Sequence, residues 1–150
     1  MVSARLSDGQ RLVALNEIYV GHITHQSSRY QIAFGQKQER HSSSGLIVAT
    51  GTGSTGWAKS IAQSRVDAPE LPGPLDPELA FLVREAWPSV ATGTALVGGR
   101  IGPGECLTIL SEMNEGGTLF GDGIESDRLE LPYGQTVELS RAEEAMRLAS

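Results

Sequence analysis

Ser43-Ser44-Gly45-Leu46-Ile47-Val48-Ala49-Thr50-Gly51-Thr52-Gly53-Ser54-Thr55-Gly56-Trp57 joins two different chemistries. Leu46 to Ala49 is an apolar, β-branched run of the kind that forms a buried strand. From Thr50 to Gly56 there is only Gly, Ser and Thr, and Trp57 closes the stretch. A strand that empties into a glycine-rich, hydroxyl-lined turn suits a sugar, a phosphate or a nucleotide, because glycine admits close approach and each hydroxyl both donates and accepts. An ordinary turn between two elements explains the same residues. There is no Gly-Lys-Ser/Thr ending, and Gly51-Thr52-Gly53 lacks the third glycine of the dinucleotide fingerprint, so the stretch is neither a P-loop nor a Rossmann turn.

Composition bounds the alternatives. The chain has 150 residues, 39% hydrophobic and 20% charged, which fits one globular domain able to bury a core. A single cysteine, Cys106, rules out an internal disulfide framework. There is no apolar run of about 20 residues and no apolar leader, so no membrane association is expected and the expected location is cytoplasmic. The net charge of −6, with two lysines and ten arginines spread along the chain, argues against non-specific nucleic-acid binding. Eighteen glycines point to many tight turns between short strands.

Upstream, Arg11 to Val20 predicts the first strand. Val13 and Leu15 do not share parity with Ile18 and Val20, which predicts a bulge at Asn16-Glu17 that turns both polar side chains to one opening. An edge or turn satisfied by the backbone explains the pair equally well. His22 to His25 predicts a strand with both histidines on one face; a metal would need a third ligand, and only His41 offers itself. Tyr30 to Phe34 predicts a strand and Gly35 to Arg40 a polar connection. Trp57 to Arg65 predicts a short helix capped by Ser54 or Thr55. Asp67 to Pro77, with four prolines, predicts an exposed connector. Pro77 to Trp87 reads locally as a helix, yet Leu79 to Arg84 is also apolar enough for a buried strand. Glu105–Leu110, Thr118–Phe120, Arg128–Leu131 and Thr136–Leu139 alternate with period two and predict a β-meander, and Arg141 to Leu148 looks helical in isolation. Asp122 in Gly-Asp-Gly is a common turn residue.

Gly45 to Trp57, GLIVATGTGSTGW, resembles the DGLxxxTPTGSTAY strand and loop of the NAD kinases (ATP/polyphosphate-NAD kinases). Ala14-Leu15-Asn16-Glu17 matches that family's ALNE strand, and Phe120-Gly121-Asp122-Gly123 its Asp-Gly turn. Ser44 replaces the family's Asp, Gly51 its Pro, Gly56 its Ala and Trp57 its Tyr, exchanges that look closest to the divergent mitochondrial-type branch. The resemblance implies a mainly β, multi-stranded assembly like the C-terminal domain of NAD kinases, with one or two short helices, a strand rather than a helix at Leu79 to Arg84, and a terminal strand. It implies an NAD-binding site at Asn16, Glu17, Thr50, Thr52, Gly53, Ser54, Thr55, Gly56, Trp57 and Asp122. Asn16 and Glu17 would contact ribose hydroxyls, and Trp57 would stack on a ring or else pack into the core. The implied reaction is phosphorylation of the 2′-hydroxyl of NAD to NADP with ATP and Mg²⁺ or a related donor, by a homodimer or homotetramer. The family's Gly-Gly-Asp-Gly motif and its N-terminal α/β domain are absent from 1–150, so no catalytic or metal-binding residue is assigned, and the chain is expected to be a fragment, inactive alone. The alternatives are a lipid- or sugar-type kinase of the same superfamily, or a non-catalytic nucleotide-sensing or oligomerisation domain.

Overall fold

A computed structural model describes residues 1–65 and 68–143. Among the described residues, twelve antiparallel strands form two six-stranded sheets. The strands are β1 (Val2–Leu6), β2 (Arg11–Ala14), β3 (Glu17–His22), β4 (Ser28–Phe34), β5 (Lys37–Ser43), β6 (Leu46–Ala49), β7 (Leu79–Val83), β8 (Gly98–Ile101), β9 (Leu107–Ser111), β10 (Gly117–Gly121), β11 (Leu129–Glu130) and β12 (Thr136–Arg141). One sheet runs β2-β1-β12-β9-β4-β5, the other β11-β10-β3-β6-β7-β8. One short helix, α1 (Trp57–Gln63), follows a 3-10 turn, Thr52–Thr55. No described helix is long and apolar enough to cross a membrane.

The alternation of the strands builds the core. Tyr30 and Ile32 of β4, Leu107 and Ile109 of β9 and Val137 and Leu139 of β12 point inward from the first sheet. Ile18, Val20, Leu46, Val48 and Phe81 meet them from the second. The opposite faces of β6 and β7 are covered as well, with Ile47, Ala49 and Leu82 packing with Ala58 of α1. A strand buried on both faces loses its alternation and reads as a continuous apolar run. That is why Leu79 to Val83 resembles a helix locally and is a strand in the fold, paired with β6 in the register Val48↔Phe81.

Four expectations are corrected. Arg11 to Val20 is two strands, not one bulged strand: β2 is an edge of the first sheet and β3 lies inside the second, paired with β10 and β6. The parity change marks the point where the chain crosses between sheets. Gly35 to Arg40, the expected polar connection, is a tight turn and the first part of an edge strand, β5, which runs to Ser43 in a hairpin with β4, its side chains polar because one face meets solvent. The four C-terminal strands are not a meander. β9 pairs with β12 and β4, whereas β10 pairs with β11 and β3, because period-two patterns carry no information about which sheet a strand joins. His22 ends β3, and His25 lies in the exposed turn beyond it, so the two do not share a strand face. β1 and β8 are additional strands the pattern did not mark. Ala68 to Pro77 is irregular, as expected of the connector, though Pro72 is buried and Leu71 packs against the second core cluster. Most of Arg141 to Leu148 lies outside the described residues, with β12 running to Arg141.

A polar chain runs through the sandwich. Ser43 Oγ lies 2.9 Å from the Tyr30 hydroxyl, which lies 3.1 Å from His41 Nδ1, and His41 Nε2 is 2.6 Å from Glu39. Glu39 also accepts the N–H groups of Ala95 and Leu96, each at 3.0 Å. Burial holds the His41 imidazole below its ordinary range despite the pull of Glu39. Burial works to raise Glu39, but the Leu96 N–H, His41 and the Ala95 N–H together hold it low. Both groups bind protons more readily unfolded, so stability rises with pH and is lost on acidification. The loss should begin below pH 6.5 from His41 and continue below 4.5 from Glu39, with a slope of at most about 1.4 kcal/mol per pH unit per proton. Urea unfolding from pH 7.5 to 4 measures it. A flat profile between pH 6.5 and 5, or the same slope there in His41→Leu, would contradict this assignment.

Candidate functional site

The three sequence stretches converge on the crossing at Leu15-Asn16-Glu17. Asp122, in the turn after β10, sits at φ 54°, a left-handed conformation that Asp tolerates better than most residues. Its carboxylate accepts the N–H groups of Leu15 at 2.8 Å, Asn16 at 2.6 Å and Glu17 at 3.2 Å, and its own N–H donates to the Glu17 carbonyl at 2.9 Å. From the other side, Thr50 Oγ1 donates to the Leu15 carbonyl at 2.8 Å, and the Thr50 N–H donates to the Asn16 carbonyl at 2.9 Å. Thr50 Oγ1 also accepts the Gly53 N–H at 3.1 Å, which folds the glycine loop back over the crossing.

That loop fits only because it carries no side chains at two points. A Cβ on Gly53 would stand 2.7 Å from the Asn16 carbonyl carbon, and one on Gly51 would run into the Gly73 carbonyl. Ser54 is buried and donates to the Thr50 carbonyl at 2.9 Å, so it shapes the turn and does not cap the helix. The N-cap of α1 is Gly56, with no side-chain cap bond, which corrects the expected Ser54 or Thr55 cap. Thr52 and Gly56 face solvent, and Thr55 completes the 3-10 turn.

Asn16 and Glu17 are both half-buried. Their backbone is held from two sides, yet neither side chain makes a hydrogen bond within the described residues. Partial burial, and behind it the Asp122 carboxylate, push the Glu17 carboxyl up. The result is an amide and a carboxyl on a rigid step, free to meet a ligand's donors and acceptors.

Trp57 is already engaged: Tyr19 stacks on it with centroids 5.7 Å apart and planes 15° apart, and the Arg84 guanidinium lies over its ring at 5.2 Å. Trp57, Arg84 and Glu85 line a cleft of about 560 Å³ beside the loop, with Ser60, Arg65 and Thr94. Ser44, which stands where the resembled family has Asp, donates through Oγ to Glu85 at 2.8 Å, and Glu85 is held at φ 50°. Tyr19, Arg84 and Glu85 were not legible as site residues, since no local pattern marks them and only strand pairing brings them beside the loop.

The histidines serve elsewhere. His22 Nδ1 accepts the Thr24 N–H at 3.0 Å, so the neutral ring carries its proton on Nε2 and has no second lone pair for a metal. Among the described residues no three His, Cys, Asp or Glu side chains form a group that could hold a metal ion.

The architecture is an NAD kinase-like β fold. Among solved structures the chain is similar to yeast NADH kinase in complex with NADH, with a TM-score of 0.70 and 18% sequence identity over 93% of this chain and 39% of that one. The chain thus spans about two fifths of that protein's length. No protein-family model and no curated protein matches it in sequence.

Proposed function

We propose that this chain is the NAD-binding, C-terminal β domain of an NAD kinase, of the divergent mitochondrial-type branch, that phosphorylates the 2′-hydroxyl of NAD to give NADP. The observation that carries the proposal is the rigid Asn16-Glu17 step. Asp122 and Thr50 fix its backbone, and both side chains remain uncommitted beside a hydroxyl-lined glycine loop. A ribose diol offers two donors and two acceptors, which an amide and a carboxylate satisfy together. The fold neighbour was solved with NADH, a ligand with such riboses.

The chemistry of transfer needs more than this. Phosphoryl transfer requires an acceptor held in line and a metal-neutralised triphosphate. In this proposal ATP and Mg²⁺ are held by an N-terminal domain in the full-length enzyme, and this chain supplies the acceptor half. A homo-oligomer located in the cytoplasm completes the proposal.

NAD or NADH at 100 times its dissociation constant should stabilise the chain by about 2.7 kcal/mol. Asn16→Ala and Thr52→Val should abolish the thermal shift, and the chain incubated with ATP, Mg²⁺ and NAD should form no NADP. NADP formation would refute the division of labour. A shift with a lipid or sugar acceptor and none with NAD or NADH would refute the ligand.

A further inference from the structure

We propose that the cleft between Trp87 and Tyr133 is a second binding site, for a planar aromatic ring that carries an anionic group. It lies at the β4–β5 edge of the first sheet, has a volume of about 720 Å³, and shares no lining residue with the site around Asn16. That volume is in the range of small-molecule pockets.

Its walls carry two aromatic side chains kept in the open. Trp87 is 62% and Tyr133 61% exposed, and among the described residues neither contacts another ring. Trp87 is not on a loose loop. Its N–H donates to the Ser42 carbonyl at 2.8 Å, and its carbonyl accepts the Thr92 hydroxyl at 2.7 Å. Ser89 Oγ accepts the N–H groups of Ala91 and Thr92, and the Gly93 N–H returns to the Arg40 carbonyl at 2.9 Å. The segment is therefore tied at both ends to β5 while its indole faces solvent. Tyr133 is anchored in the same way, because the Gly134 N–H donates to the Ser111 carbonyl at 2.9 Å. An indole and a phenol on fixed backbone offer flat faces to an aromatic ring with no backbone left to order, the remaining cost being that of their own rotamers.

The same cleft selects charge. Arg29 and Arg40 line it against one carboxylate, Glu112, in a chain of net charge −6. Arg40 is paired with Glu112 at 2.8 Å, which leaves the exposed Arg29 guanidinium with no partner among the described residues. A guanidinium beside an open indole matches a ring bearing a phosphate or carboxylate.

The two tryptophans give one experiment access to both sites. Their indole N–H signals are followed by NMR as the chain is titrated with AMP, with Trp87→Phe used to assign them. AMP should move the Trp87 signal saturably. Arg29→Ala, and separately the use of adenosine in place of AMP, should weaken the response about tenfold or more, and inorganic phosphate alone should leave the signal in place. The proposal is overturned if the Trp87 signal stays fixed up to about 10 mM AMP, or if adenosine and Arg29→Ala make no difference. It is also overturned if the signal moves with protein concentration in the absence of ligand, which would show a second copy covering the cleft. A Trp57 signal that responds to NAD while Trp87 responds to nothing would overturn this site and leave the proposed function standing.

Discussion

Asp122→Ala should lower the stability of the chain by about 3 kcal/mol, because it strips an ionised acceptor from three part-buried N–H groups at once. Hydrogen bonds to charged groups are worth about 1.5–3 kcal/mol each. The sum is discounted because Asp122 is only half-buried and water can replace part of it. For a chain of this size the loss corresponds to about 6–12 °C in Tm. Asp122→Asn keeps one carbonyl acceptor but turns an amide donor toward the remaining N–H groups, so it should recover only part of the loss. Equilibrium urea unfolding reads the difference, and the m-value should stay unchanged if only the native state is affected. Loosening the crossing should also weaken any ligand held by Asn16 and Glu17. If Asp122→Ala stays within about 0.5 kcal/mol of the unsubstituted chain, the range of an ordinary surface substitution, the carboxylate is not what fixes the crossing.

Gly53→Ala should cost about 2–3 kcal/mol and abolish the stabilisation by NAD or NADH. Its added methyl meets backbone: the Asn16 carbonyl carbon would be 2.7 Å away, and that carbonyl is itself pinned by Thr50. Overpacking of a tight site forces backbone displacement at about 1–3 kcal/mol. The loop must lift away from Asn16, which breaks the Gly53 N–H bond to Thr50 Oγ1 and opens the floor of the site. Gly73→Ala, outside the proposed site, is the control, since a Cβ there meets nothing closer than the Asp76 carboxylate at 3.7 Å. It should leave ligand stabilisation intact. Thermal melts with and without NAD separate the two variants, and equal behaviour would show that the close approach of loop to crossing is not required.

Much of the fold was legible because its determinants are local. Leu46-Ile47-Val48-Ala49 is apolar and β-branched, the glycines after it forbid continuation of the strand, and the alternation in β4, β9 and β12 is that of strands with one buried face. The parity change near Asn16 was visible too, but a bulge and a crossing between sheets leave the same trace in a pattern of period two. Lys37 to Ser43 was missed as a strand because an edge exposed on one face carries polar residues throughout.

By itself the sequence determined several of the core strands, among them β4, β6, β9 and β12, the position of the glycine loop and the chemical types gathered at the three stretches around Asn16, Thr50 and Asp122. Hydrophobic period, turn residues and side-chain chemistry are properties of neighbours in the chain. The tertiary structure alone decided that Asp122, more than 100 residues away, holds the backbone of Leu15, Asn16 and Glu17. It also decided that Trp57 is engaged by Tyr19 and Arg84, and that Ser44 meets Glu85. Those contacts depend on which strands pair and on which sheet each one joins. Strand pairing is set by burial summed over the whole sandwich, and no window of local sequence contains that sum.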